Sequence, residues 1–118
     1  MPGVYPPVTL KGRRYIDGGM RSGTNADLAK GHERVLVIQV RVAGNTGPAA
    51  DALARRFADE IQVLTDSGAE VRVLAPDAGS VAAMGANLMD FRQRAAAARA
   101  GLEQGVAEAA ALAAFWAA

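Results

Sequence analysis

The sequence predicts an α/β fold: a partial, three-layered domain with a mainly parallel sheet and helices on both faces. Three observations carry that prediction. Val35-Leu36-Val37-Ile38 is an unbroken apolar run, the pattern of a strand covered on both sides. Ala50, Leu53, Ala54, Phe57, Ile61 and Leu64 recur at helical spacing. Val71-Arg72-Val73-Leu74 then reads as a second strand, completing a strand-helix-strand unit whose connection should be right-handed.

Each element follows from local chemistry. Val8-Thr9-Leu10 and Arg13-Arg14-Tyr15-Ile16 flank Lys11-Gly12, which predicts a short hairpin ended by Asp17-Gly18-Gly19. Thr24 to Ala29 is expected to form one or two helical turns, with Thr24 or Asn25 as N-cap and Gly31 as stop. The strand with the apolar run is expected to extend from Arg34 to Val42 before Gly44-Asn45-Thr46-Gly47 breaks it. Pro48 suits the first turn of the following helix, and Gly68 closes that helix. Asp51, Asp59, Glu60 and Asp66 are assigned to its solvent side. Beyond Ser80, itself an expected N-cap, the chain should stay helical. Asp90 is expected to cap a long alanine-rich helix running toward Trp116. Within it, Gly101-x-x-x-Gly105 has the spacing of a close-packing device. If the strands ending at Asp17, Val42 and Leu74 were parallel neighbours, Asp17, the Gly44–Gly47 loop and Asp77 would share one carboxyl rim, where open α/β sheets bind ligands. Such a sheet would also keep an apolar edge in need of cover.

Composition narrows the function classes. The chain has 118 residues, about half of them hydrophobic, with a formal net charge of +1. That length allows one small domain, and that charge gives no field for nucleic acid, so no nucleic-acid partner is expected. Lys11, Arg13 and Arg14 read as a solvated hairpin edge. The absence of cysteine excludes disulfides and thiolate chemistry and suits a reducing cytosol, so a cytoplasmic location is expected. The N-terminus has no signal-peptide pattern. The apolar tail from Val106 to Ala118 is interrupted by Glu108 and is shorter than the ~20 residues of a spanning helix. No transmembrane segment is expected, and at most peripheral membrane contact. One histidine, His32, cannot build a zinc site, so neither a metal nor a cofactor is expected. His32 reads as an exposed turn residue.

Asp17 is the candidate catalytic residue. Asp-Gly-Gly is ordinary turn chemistry, but glycines after an aspartate also permit positive φ and close approach by substrate. Its surroundings add to that. Pro2-Gly3-Val4-Tyr5-Pro6-Pro7-Val8, then Gly12-Arg13-Arg14-Tyr15-Ile16-Asp17-Gly18-Gly19, then Asn25-Ala26-Asp27-Leu28-Ala29 resemble the patatin-like phospholipase family. There, a proline-rich segment precedes a strand ending in Asp-Gly-Gly or Asp-Gly-Ala, and an asparagine follows at the start of a short helix. The similarity continues through the strand beginning at Arg34 and extends over Pro76-Asp77, Met84-Gly85 and Asn87. The resemblance implies a serine-aspartate dyad with Asp17 as general base, taking the proton from serine and later activating water. Gly18 and Gly19 would shape the turn, and Asn25 would fix the loop by hydrogen bonding.

The nucleophile does not follow. The family's serine sits in a Gly-x-Ser-x-Gly elbow, and none of Ser22, Ser67 and Ser80 has that setting. No glycine-rich oxyanion motif precedes Asp17. The resemblance therefore places this chain, residues 1–118, as the C-terminal part of a patatin-like domain whose N-terminal half is absent. Gly44-Asn45-Thr46-Gly47 matches no phosphate-binding pattern. A phosphoaspartate receiver lacks its N-terminal acidic pair here. Met84, Leu88, Met89 and Phe91 read first as core, and second as the flank of an acyl groove.

The expected function is lipid acyl ester hydrolysis, with only the aspartate of the dyad in this chain and no activity in isolation. The expected partners are a lipid or acyl ester, and an N-terminal half or further copy that completes the sheet. The alternative is a non-catalytic α/β module that binds through an unfinished sheet edge.

Overall fold

The computed structural model describes residues 6–40 and 47–117. They form two compact units, one containing described residues 6–37 and 47–73, the other 38–40 and 74–117. The fold is mixed α/β with two small sheets, one of them parallel.

The first sheet is the hairpin. Strands β1 (Val8–Leu10) and β2 (Arg13–Tyr15) pair antiparallel, with Val8 opposite Tyr15 and Leu10 opposite Arg13. Lys11 and Gly12 both take positive φ, 49° and 74°, the backbone that a two-residue turn needs to match strand twist. Every hairpin residue is exposed. The second sheet pairs β3 (Arg34–Ile38) with β4 (Glu70–Leu74). Glu70 N donates to Glu33 O at 2.8 Å, and Gln39 N to Leu74 O at 3.0 Å, fixing the register at both ends.

The expectation of one larger sheet is corrected by this topology. β2 bonds to β1, not to the parallel pair, so the condition for a rim shared by Asp17 and Asp77 is not met. β3 is shorter than expected, because Gln39 and Val40 leave the strand; Arg41, Val42 and the 44–46 part of the glycine loop lie outside the described residues.

In the first unit, helix α1 (Pro48–Asp66) begins with Pro48 at its first turn and ends at Ser67, whose Oγ donates to Leu64 O at 2.7 Å. Gly68 follows at φ 89°, a left-handed stop. Leu64 is completely buried, and with Val35, Val37, Ala26 and Ala69 it forms the core, with Phe57, Ile61 and Val71 packed around it. Val35 and Val37 point the same way because strand side chains alternate. Leu36, on the other face, is half-buried.

In the second unit, helix α2 (Ala78–Met84) packs on α3 (Arg94–Ala117). Asp77, not Ser80, caps α2, its Oδ1 accepting from Ser80 N at 2.7 Å. Ser80 is buried instead and donates to Gln104 Oε1 at 2.9 Å. The same Oε1 accepts from Asp77 N at 3.1 Å, and Gln104 Nε2 donates to Ala75 O at 2.7 Å. One amide from α3 thus ties down the start of α2. Helix does not continue unbroken beyond Ser80: Gly85, at φ 69°, stops α2, and α3 is reached through a short turn, Phe91–Gln93, that Asp90 caps. Arg92 closes on Asp90 with two side-chain bonds of 2.8 Å, which hold the Asp90 carboxyl below its usual range.

Two further expectations change here. A Cβ at Gly101 or Gly105 would meet nothing within 4 Å, so these glycines are not a close-packing device. They border an uncharged recess of about 340 Å³ with Ile38, Val40, Leu74 and Met84. Leu88, Met89 and Phe91 are exposed rather than core.

Candidate functional site

Asp17, Gly18, Gly19 and Asn25 all belong to the first unit. Asp17 follows the hairpin and caps a single turn, Gly18–Met20; its Oδ1 accepts from Gly19 N at 2.9 Å. Its main-chain carbonyl accepts from Met20 N at 3.2 Å. The carboxylate is exposed, and the Gly19 N–H holds its pKa below the usual aspartate value. Asp17 is therefore ionised at neutral pH.

Gly19 acts by size, not by handedness. Neither Gly18 nor Gly19 uses the positive φ that glycine permits. A Cβ on Gly19 would lie 3.1 Å from Asp17 Oδ1, tight enough to displace the carboxylate. At Gly18 a Cβ would be 3.8 Å from Asn25 Nδ2, an ordinary contact.

Asn25 stands at φ 50° and ψ 38°, a left-handed conformation that asparagine adopts more readily than most residues. Its Nδ2 donates to Gly18 O at 3.3 Å and to Ser22 O at 3.0 Å. Its Oδ1 accepts from Arg21 Nη1 at 3.0 Å. Arg21 also grips Asp27, with Nη1 2.8 Å from Oδ1 and Nη2 on Oδ2. That fork lowers the Asp27 pKa and raises that of Arg21, so the pair stays charged.

The residue that anchors this loop is Glu60, which the sequence reading placed in solvent. Glu60 is 5% exposed, and its Oε2 accepts from Thr24 Oγ1 at 2.7 Å and from Ala26 N at 3.1 Å. A carboxylate from α1 therefore caps the Ala26–Ala29 turn, whereas the side chain of Asn25 does not. Burial by itself would raise the Glu60 pKa. The Ser22 and Thr24 hydroxyls and the Ala26 N–H outweigh it, and the group sits below the ordinary glutamate value. The overlooked signal was spacing. Glu60 lies three residues after Phe57 and four before Leu64, on the inward stripe of α1.

Ser22 is also buried, at 2% exposure, and its Oγ accepts from Thr24 N at 3.1 Å and Asn25 N at 3.0 Å. A buried hydroxyl committed to a turn is unsuited to attack a substrate. Ser67 and Ser80 are committed to the helix end and the helix start described above. His32 is exposed. Among the described residues no group of three or more metal-ligating side chains converges, and no helix is long and apolar enough to cross a membrane. No family model, curated protein or solved structure matches the chain.

Proposed function

We propose that this chain supplies the general base, Asp17, of a patatin-like lipid acyl hydrolase whose serine nucleophile comes from outside it. The observation that carries the reading is the ordered string of residues from Pro6-Pro7 through Asp17-Gly18-Gly19 to Asn25, with Asp17 ionised and oriented at a tight turn. In the assembled enzyme, serine would approach the exposed carboxylate, which accepts its proton as the acyl ester is attacked. Covering Asp17 with protein and lipid would desolvate it and raise its basicity from the low value it has in water. The two small sheets would then be part of a larger three-layered patatin-like domain. Exposure of Ile16, Ile38, Val40 and Val73 is consistent with surfaces awaiting cover.

The test is hydrolysis of a p-nitrophenyl acyl ester. The chain alone should give no turnover. Co-purified with the N-terminal half of a patatin-like phospholipase, it should give turnover well above either part. Turnover by the chain alone, or none from a stable co-purified pair, would contradict the proposal.

The same exposed residues favour a second reading, a non-catalytic module that assembles through its parallel strand pair. On that reading, sedimentation shows concentration-dependent association that Val73→Lys abolishes, and no complemented pair hydrolyses ester.

A further inference from the structure

We propose that Glu60 is a positioning residue for Asp17, acting from α1 through the Ser22–Ala26 loop; its bearing on catalysis rests on the reading of Asp17 as the base. Asp17 is exposed, and its turn Gly18–Met20 contributes no buried residue. Apolar packing therefore does not hold that turn in place. The loop that follows supplies the hold through hydrogen bonds. Asn25 Nδ2 binds the Gly18 carbonyl, and Arg21 N and Ser22 N donate to that same carbonyl at 3.0 and 3.4 Å. Gly18 is the residue between the Asp17 carboxylate and the Gly19 N–H that orients it.

The loop in turn needs a reason to keep Asn25 left-handed. Ser22 Oγ gathers the N–H groups of Thr24 and Asn25, and Thr24 Oγ1 and Ala26 N converge on Glu60 Oε2. Asn25 is thus held between two residues fixed by one buried carboxylate. That carboxylate stands one turn before Leu64, the completely buried centre of the core. The path runs from core to α1, to loop, to Gly18, to Asp17, with a hydrogen bond or a peptide link at each step. Hydrogen bonding of this kind transmits geometry because each buried polar atom is costly to leave unpaired.

The experiment follows the Asp17 turn by NMR in the full chain, without requiring ester turnover. Glu60→Gln is compared with the parent for the Gly19 amide exchange rate and the Asp17 carboxyl titration midpoint. The amide that replaces the carboxylate carries no charge, so its oxygen accepts from Thr24 Oγ1 and Ala26 N more weakly than Oε2 does. We expect Gly19 exchange to speed up by about tenfold or more, the signature of local opening, and the Asp17 midpoint to rise toward the ordinary aspartate value. Thr24→Val should act in the same direction, and Thr24→Ser, which keeps the hydroxyl, should restore the parent behaviour. Unchanged Gly19 exchange and Asp17 midpoint in folded Glu60→Gln would overturn the proposal. If Glu60→Gln does not fold, the Thr24→Val and Thr24→Ser pair decides by the same two readouts. Failure here leaves the base assignment standing, whereas full ester turnover by Asp17→Asn in the complemented enzyme sinks that assignment and leaves the positioning intact.

Discussion

At residue scale, the Asp17 turn depends on atoms a few ångströms apart, and its two glycines are not equivalent. Gly19→Ala places a methyl against Asp17 Oδ1, 3.1 Å away, and should weaken the bond that lowers the Asp17 pKa. Its titration midpoint, read by carboxyl NMR, should rise; Gly18→Ala should leave it unchanged. An equal response to both substitutions would show that the glycines serve some other purpose. Glu60 makes a second residue-scale prediction. Its pKa is lower in the folded chain than the ordinary glutamate value of 4.5, so folding favours its charged form. The stability it contributes is complete above the unfolded-state pKa and is lost as pH falls through the folded one. Glu60→Gln should therefore cost about 1–3 kcal/mol at pH 7 in urea unfolding, and clearly less near pH 3. A cost independent of pH would mean that charge plays no part in its hold on Thr24 and Ala26.

At the scale of elements, composition and spacing located most of the fold, and the failures have physical causes. The hairpin, α1, β4 and the start of the Asp90-capped helix were legible because turn glycines, Pro48 and apolar periodicity agree locally. Sheet membership was not legible, since short apolar strands carry no label for their neighbour; β2 pairs with β1 alone. At Glu60 the two sequence signals conflict: a charged side chain points to solvent, while its position between Phe57 and Leu64 points to the core. Ser80 and Asp77 are both good capping types, and the helix starts at Ala78, with Asp77, three residues before Ser80, as the cap. Asp77→Ala should cost about 0.5–2 kcal/mol as the cap of α2 is lost. Gly101 and Gly105 show that a familiar spacing need not mean close packing. With open space around both, Gly101→Ala and Gly105→Ala should each stabilise α3 by up to about 1 kcal/mol, visible as a raised Tm. A lowered Tm would place an unrecognised neighbour against that face.

At the scale of the whole molecule, the chain combines a small buried core with much uncovered apolar surface. Leu64 is completely buried, while Ile16, Ile38, Val40, Leu102, Val106 and Trp116 are exposed. α3 is apolar on most sides, a pattern usually found where a helix is enclosed. Both proposed readings draw on that surface: a hydrolase assembled with a serine-bearing half, or a module joined to a partner. The proposed base, Asp17, is legible only through its ordered neighbours, because Asp-Gly-Gly by itself is turn chemistry. Its anchor became visible only when the fold brought Glu60 to a loop more than thirty residues earlier in the chain. On the proposed reading, Asp17 removes the serine proton. That step is tested most directly by comparing parent and Asp17→Asn in the complemented ester hydrolase at equal amounts of co-purified pair. In Asp17→Asn, kcat should fall by about 10²–10⁴-fold while the pair still assembles. Undiminished kcat in Asp17→Asn would contradict that reading.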